Sequence, residues 1–325
     1  MKKILILGGN SLSGGNLASF LINKNFKVIL INRSKTEKCF LKYYKVKKNI
    51  KIYKINVNFE FNKLLKIINK EKPDYFFNFI SQSMVAESWI NPDDWFYTNS
   101  YILPKLYFSM LNMKYIKKII HFSTPEVYGS TKKNLPENNN FNPSTPYGIS
   151  RVTADHCAET LFKIKKMPMI ITRASNVYGP YQKTYRIIPR IILFIKMNKR
   201  ITLHGGGNSK RDFIYSDDVS AALYTILKKG IAGETYHISN KNLISIEALA
   251  KKICKIMNVK FDDYFIIGKE RLGKDKVYSL SNLKIKKLGW KPEYNLENGI
   301  SETIKWVDTH YNSLTSLNHE YVHKF

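Results

Sequence analysis

The chain has 325 residues, 44% of them hydrophobic, which supports a sizeable core with a second lobe and argues against disorder. Its formal charge of +28 comes from lysines spread along the chain among many Asn and Ile residues rather than clustered. This argues against a nucleic-acid surface and leaves a general positive field. The three cysteines, Cys39, Cys157 and Cys254, are far apart and lack disulfide-framework or metal spacing, as expected of reduced thiols in a cytosolic protein.

The opening Met1-Lys2-Lys3-Ile4-Leu5-Ile6-Leu7 stops being apolar at Gly8-Gly9, too soon for a secretory leader, and reads as a buried strand over Lys3–Leu7. A helix follows over Gly14–Asn23, with Leu17, Phe20 and Leu21 on one face. Strands are expected at Lys27–Ile31 and Ile50–Val57, then a helix at Phe61–Asn69 with Leu64, Leu65 and Ile68 at helical spacing. Tyr75–Ile80 and Lys118–Phe122 are further strands, separated by a helix through Leu103, Leu106 and Leu111. Such alternation predicts a parallel sheet covered on both faces.

The second half is less regular. Asn176–Tyr185 and Leu203–Lys210 are rich in Gly, Asn and polar residues, Ser245–Met257 is helical, and Leu283–Val307 closes the ordered part. Ile187–Met197 is the most apolar helix candidate, but Arg190 and Lys196 interrupt it, and no stretch approaches the roughly 20 apolar residues of a membrane span. Residues after about Tyr311 are polar and carry no pattern.

Between the first strand and helix lies Gly8-Gly9-Asn10-Ser11-Leu12-Ser13-Gly14. A glycine turn there lets backbone amides approach a pyrophosphate at a helix N-terminus. Ser11 replaces the usual middle glycine. The second strand ends Ile31-Asn32-Arg33-Ser34, without the acid that holds a ribose 2′-hydroxyl. Asn32 and Arg33 therefore lean toward NADP over NAD. Three more segments carry chemistry: His121-Phe122-Ser123-Thr124-Pro125-Glu126-Val127-Tyr128-Gly129, Pro146-Tyr147-Gly148-Ile149-Ser150-Arg151, and Arg173-Ala174-Ser175-Asn176-Val177-Tyr178-Gly179-Pro180. Tyr147 and Arg151 are four apart and share a helix face. A cation there can lower a tyrosine pKa from about 10, making the phenol a base toward a sugar hydroxyl.

With Gly207-Asn208-Ser209-Lys210-Arg211-Asp212-Phe213-Ile214-Tyr215-Ser216-Asp217-Asp218 and Leu288-Gly289-Trp290-Lys291-Pro292, these ordered motifs resemble the extended short-chain dehydrogenase/reductases over about Met1–Val307. Within that family the chain is most similar to nucleotide-sugar 4,6-dehydratases acting on dTDP-glucose or GDP-mannose. The resemblance implies a Rossmann-type doubly wound parallel α/β sheet with a smaller α+β C-terminal substrate-binding part. Residues 1–176, with 212–240 returning to them, would bind the dinucleotide. Residues 177–211 and 241–310 would bind the sugar nucleotide, leaving 311–325 as a tail.

By the same resemblance, Tyr147 and Arg151 form the catalytic pair, with Arg151 where the family has Lys. Thr124 would bond the sugar O4 and Glu126 would take the C5 proton. Pro125 stands where dTDP-glucose enzymes have an Asp that protonates the leaving hydroxyl, so Glu126 would serve as base and acid. Gly8, Asn10, Ser11, Leu12, Gly14, Asn32, Arg33, Asn56, Val57, Ile80, Ser81, Tyr147 and Arg151 would border the cofactor. Ser83, Thr124, Asn176, Arg211 and Arg271 would border the substrate, while Met84 replaces a frequent His.

The resulting expectation is a cytoplasmic enzyme that converts a nucleotide-diphosphate sugar, with dTDP-glucose the leading candidate, to its 4-keto-6-deoxy form with NAD or NADP. It would bind no metal, nucleic acid or membrane. A homodimer joined by the helices containing Leu103 and Tyr147 is also implied. A 4-epimerase or 4-ketoreductase remains open, since it needs Tyr147 but not Glu126. So does a catalytically weak sugar-nucleotide binder, given Ser11, Pro125 and Arg151. Gly205-Gly206-Gly207 reads as a turn ahead of Arg211, and Trp290 as core.

Overall fold

The computed structural model describes residues 1–325 apart from 47, 48, 132, 133, 270–276 and 278. Its strands are β1 (Lys3–Leu7), β2 (Lys27–Asn32), β3 (Ile50–Lys54), β4 (Tyr75–Asn78), β5 (Lys118–Ser123), β6 (Met169–Ala174), β7 (Asn176–Tyr178), β8 (Ile201–His204), β9 (Lys210–Tyr215), β10 (Thr235–Ile238), β11 (Leu243–Ser245) and β12 (Phe265–Gly268). A seven-stranded sheet in the order β10-β6-β5-β4-β1-β2-β3 carries the molecule, and its neighbouring strands all run parallel. The order reverses between β1 and β4, which opens a crevice at the strands' C-terminal edge.

Alternation along each strand sends side chains to two apolar layers. Ile4 and Ile6 meet Leu17, Ala18 and Leu21 of α1 (Leu12–Asn23) and, farther along the chain, Val219, Ala222 and Leu223 of helix Ser216–Lys229. Leu5 and Leu7 belong to the opposite layer, with Leu64 and Ile68 of α2 (Phe61–Glu71) and with Leu103 and Leu106. Those leucines follow α3 (Pro92–Trp95) and a π-helical stretch (Phe96–Ile102) that leads into α4 (Leu103–Ser109). Ala154, Ala158 and Leu161 of α5 (Pro146–Lys165) complete this layer.

A third cluster joins α6 (Ile187–Lys196), α7 (Ser216–Lys229) excepted, to α8 (Ile246–Ile256), while α9 (Phe261–Tyr264) packs at its margin. After α10 (Leu283–Lys287), α11 (Leu296–Thr309) and α12 (Tyr311–Thr315) add Ile300, Trp306, Val307 and Leu314 to it. Small sheets of order β11-β9-β7 and β12-β8 border this cluster. Trp290 is buried and donates from Nε1 to the Asp218 carbonyl at 3.1 Å.

Several elements end earlier than their apolar pattern. β3 stops at Lys54 rather than Val57, because the Asn56 amide meets the Glu60 carboxylate at 2.9 Å and its side chain accepts from the Asn58 amide at 3.1 Å. β4 stops at Asn78 rather than Ile80, where the Asn78 side chain accepts from the Ile80 amide at 3.1 Å. The closing segment is two helices, since Gly289 takes φ 93° and the chain turns there. The residues after Tyr311, patternless in sequence, fold back over the large sheet, where the His323 ring stacks on Trp95 with centroids 5.1 Å apart.

Candidate functional site

At the crevice, Gly8 leaves β1 with φ 91° and Ser11 caps α1, its hydroxyl accepting from the Gly14 amide at 3.1 Å. The same hydroxyl donates to the Gly8 carbonyl at 2.7 Å, so the residue in the middle-glycine position closes the turn. A Cβ on Gly14 would lie 2.4 Å from the Gly8 oxygen, so only glycine lets α1 begin this close to β1. Asn10 is held by the Tyr43 hydroxyl at 2.6 Å and donates to the Ser34 carbonyl at 2.7 Å.

A cavity of about 430 Å³ lies above this turn. Gly8, Asn10, Ser11, Asn32, Arg33, Asn56, Val57, Ile80 and Ser81 line it, as expected from their positions in the chain. Leu12 lines the adjoining larger cavity, and Gly14 lies beneath the turn. Buried Asn32 leaves its Oδ1 without a hydrogen bond. Arg33 donates from Nη1 to the Lys324 carbonyl at 2.6 Å. Asn56 Nδ2 donates to the Phe325 carbonyl at 3.2 Å.

The larger cavity, about 1170 Å³, gathers Ser83, Thr124, Glu126, Tyr147, Asn176 and Arg211. Thr124 follows β5 and caps the 3₁₀ turn Pro125–Tyr128, accepting from the Glu126 amide at 3.3 Å. Thr145 caps α5 by accepting from the Gly148 amide at 3.0 Å, which sets Tyr147 in the first turn. A Cβ on Gly148 would lie 3.0 Å from the Glu126 carbonyl and 2.9 Å from Pro143 Cβ. Glycine therefore seats the tyrosine helix directly on the glutamate's backbone.

Burial raises the Tyr147 pKa; the Arg151 charge lowers it, Glu126 raises it and the Thr124 hydrogen bond lowers it, and the balance is upward. The Arg151 charge thus acts in the expected direction, and burial outweighs it. Arg151 is 1% exposed and does not line either cavity. Its Nη2 donates to the Phe122 carbonyl at 2.7 Å and lies 3.2 Å from His121 Nε2. Nε and Nη1 are buried without hydrogen bonds. The shared helix face holds, but the longer side chain has folded inward.

Behind that wall, Asp155 accepts from Arg173 Nη2 at 2.7 Å and from Ser123 Oγ at 2.8 Å. His121 Nε2 lies 3.1 Å from its other oxygen. With its proton on Nε2, His121 donates to Asp155 and accepts at Nδ1 from the Tyr107 hydroxyl at 2.6 Å. Arg173 Nη1 also donates to the Tyr128 hydroxyl at 2.9 Å, which pairs with His237 at 2.9 Å. Burial pushes Asp155 up, but Arg173, His121 and Arg151 together hold it well below the usual carboxylate range.

The cavities are also lined by cations that chain reading passed over. Arg186, Arg190 and Arg200 line the larger cavity and Lys183 lines both. The four-residue spacing of Arg186, which caps α6, and Arg190, in its first turn, was the available signal. Tyr321 also lines both cavities. Arg271 lies outside the described residues. No helix among the described residues is long and apolar enough to cross a membrane.

A sequence model of the GDP-mannose 4,6 dehydratase family matches residues 5–303. The dTDP-D-glucose 4,6-dehydratase of Homo sapiens is 30% identical, with 96% of this chain and 91% of that protein covered. Two solved structures, each 25% identical, are close in fold. The dTDP-glucose 4,6-dehydratase of Bacillus anthracis in complex with NAD gives a TM-score of 0.85, covering 96% of this chain and 98% of that one. The UDP-glucose 4-epimerase of Thermotoga maritima with UDP-glucose gives 0.86, covering 95% and 99%.

Proposed function

The chain belongs to the GDP-mannose 4,6-dehydratase family, and from that premise we propose that it is an NAD-dependent nucleotide-sugar 4,6-dehydratase acting on dTDP-glucose. The observation that carries this reading is the convergence of Thr124, Glu126 and Tyr147 on the larger cavity, which arginines also line. The arginines suit the diphosphate, and Asn176 and Arg211 join them there. The two-part division favoured is 1–176 with 212–240 for the dinucleotide, and 177–211 with 241–310 for the sugar nucleotide.

The residues present fit a nicotinamide dinucleotide: a capped helix start behind a glycine turn, and the orphaned Asn32 Oδ1 at the end of β2. Gly8, Asn10, Ser11, Leu12, Asn56, Val57, Ile80 and Ser81 would hold it, with Gly14 permitting the approach. When bound, it supplies a hydride acceptor and donor. NAD is the favoured form, by likeness to the NAD-bound dehydratase at 25% identity.

As its phenolate, which the Arg151 charge favours, Tyr147 takes the proton from the sugar O4 beside Thr124. The developing 4-ketone acidifies C5–H, and Glu126 removes that proton. Pro125 has no proton to give, so Glu126 returns it to the departing C6 hydroxyl, which leaves as water. The Arg151 guanidinium opposes phenol protonation through space from behind the wall.

Glu126→Gln tests the assignment. Water elimination from dTDP-glucose is expected to fall by about 10²–10⁴-fold, the usual worth of a placed general acid–base. The readout is the alkali-revealed 4-keto chromophore. Retention of full elimination, or recovery of only the C4 epimer from the unaltered enzyme, overturns dehydration in favour of a 4-epimerase.

A homodimer through the Leu103 and Tyr147 helices is supported by their outward apolar side chains, since Tyr101, Phe108 and Ile149 are 51%, 56% and 46% exposed. Phe108→Glu combined with Ile149→Glu is expected to convert a dimer to monomer in sedimentation velocity, whereas a monomeric unaltered protein rejects the interface. A cytoplasmic setting accords with the free thiols Cys39, Cys157 and Cys254.

A further inference from the structure

The segment Leu317–Phe325 crosses the mouth of the smaller cavity and is pinned on both sides of it. On one side, Glu320 pairs with Arg190 at 2.6 Å, Arg190 Nη1 donates to the His319 carbonyl at 2.9 Å, and Tyr321 packs edge-on against Tyr185 at 5.3 Å. On the other side, His323 meets Asp94 at 2.5 Å and stacks on Trp95, and the Phe325 ring packs on Phe59 and Tyr97, each at 5.5 Å.

Between these anchors the Lys324 carbonyl accepts two hydrogen bonds, from Arg33 Nη1 at 2.6 Å and from Gln82 Nε2 at 2.7 Å. Arg33 follows β2 and Gln82 follows β4, so one peptide spans the crevice above β1. The cavity persists between this peptide and the Gly8–Ser11 turn, with Tyr321, Val322 and Lys324 among its walls. The segment therefore roofs the space rather than filling it.

We propose that Leu317–Phe325 is a strap over the adenosine end of the cleft that makes the site select NAD over NADP; this rests on reading the cleft as a dinucleotide site. The end of β2 is where an acid marks a ribose 2′-hydroxyl, or an arginine fork marks a 2′-phosphate. Here Arg33 stands there with a carbonyl already on one arm of its fork. A 2′-phosphate needs that fork and carries about two negative charges, which the negative end of the Lys324 carbonyl dipole opposes. A neutral ribose hydroxyl meets no such penalty. The strap thereby cancels the NADP lean that Asn32 and Arg33 give the bare sequence.

The test compares cofactor-stripped full-length protein with a chain ending at Ser316 and with His323→Ala, which loosens one anchor. NAD and NADP binding are measured by calorimetry, and melting curves establish that each variant is folded. The full-length chain is expected to prefer NAD. The shortened chain should lose about tenfold of that preference, the worth of one charge-assisted hydrogen bond, and His323→Ala should move the same way. Should the shortened chain not fold, His323→Ala alone carries the comparison. An NAD-to-NADP ratio unchanged in the folded variants overturns the strap while leaving the dinucleotide reading intact. Failure of the full-length chain to bind either cofactor overturns both.

Discussion

Tyr147→Phe is expected to lower turnover of dTDP-glucose by about 10²–10⁴-fold while leaving the fold and sugar-nucleotide binding in place. Tyr147 is 7% exposed and set in the first turn of α5 by the Thr145 cap. Phenylalanine fills the same volume, so packing in the wall is kept and only the proton acceptor is lost. The measurement is kcat and KM for 4-keto product formation, with calorimetric binding of dTDP as the control. A variant that keeps its kcat would show that another group takes the O4 proton.

The largest stability effect is expected at Asp155. It and Arg173 are fully buried and joined at 2.7 Å. Asp155→Ala strands the Arg173 guanidinium and removes acceptors from Ser123 and His121, at a cost of about 3–5 kcal/mol. A melting temperature lower by roughly 5–10 °C is the readout. Asp155→Leu with Arg173→Met should recover much of that loss, because no buried charge then remains unpaired. Equal melting of Asp155→Ala and the unaltered protein would remove the pair from any account of stability.

The same network fixes how stability varies with pH. Burial lowers the pKa of His121, and that of His237 well below its ordinary value, so both stay neutral in the fold but protonate in the unfolded chain. Stability from this source is present above about pH 6.5 and lost as pH falls below it. The folded-state pKa of Asp155 is depressed instead. Its contribution is full above about pH 4 and is lost as the pH falls from there toward the folded value. Loss of stability in two stages is therefore expected on acidification, with the lower stage missing in Asp155→Ala.

Much of the fold could be read from the chain because it depends on local patterns. β1 runs from Lys3 to Leu7 as its apolar run indicates, and the sheet is parallel because helices alternate with strands. The gathering of Thr124, Glu126 and Tyr147 followed from ordered motifs. What could not be read depends on contacts between distant residues. Spacing put Arg151 on the Tyr147 face, yet could not say that its guanidinium would find the Phe122 carbonyl and leave the cavity wall. The helix through Leu103 begins as far back as Pro92, because a π-helical stretch shifts its register and blurs the periodicity. His323 and Phe325 look unremarkable among polar neighbours, and their partners Trp95 and Phe59 lie more than 200 positions away.

The contact at Gly148 bears on how such an enzyme can change its substrate. With no side chain between α5 and the Glu126 backbone, the segments carrying phenol and carboxylate lie in direct backbone contact. In the proposed assignment of Tyr147 and Glu126 to O4 and C5, that contact sets the span to which a hexose must be presented. New specificity then has to arise elsewhere in the cavity, as on α6 and β9, where Arg190 and Arg211 can be exchanged without disturbing that contact.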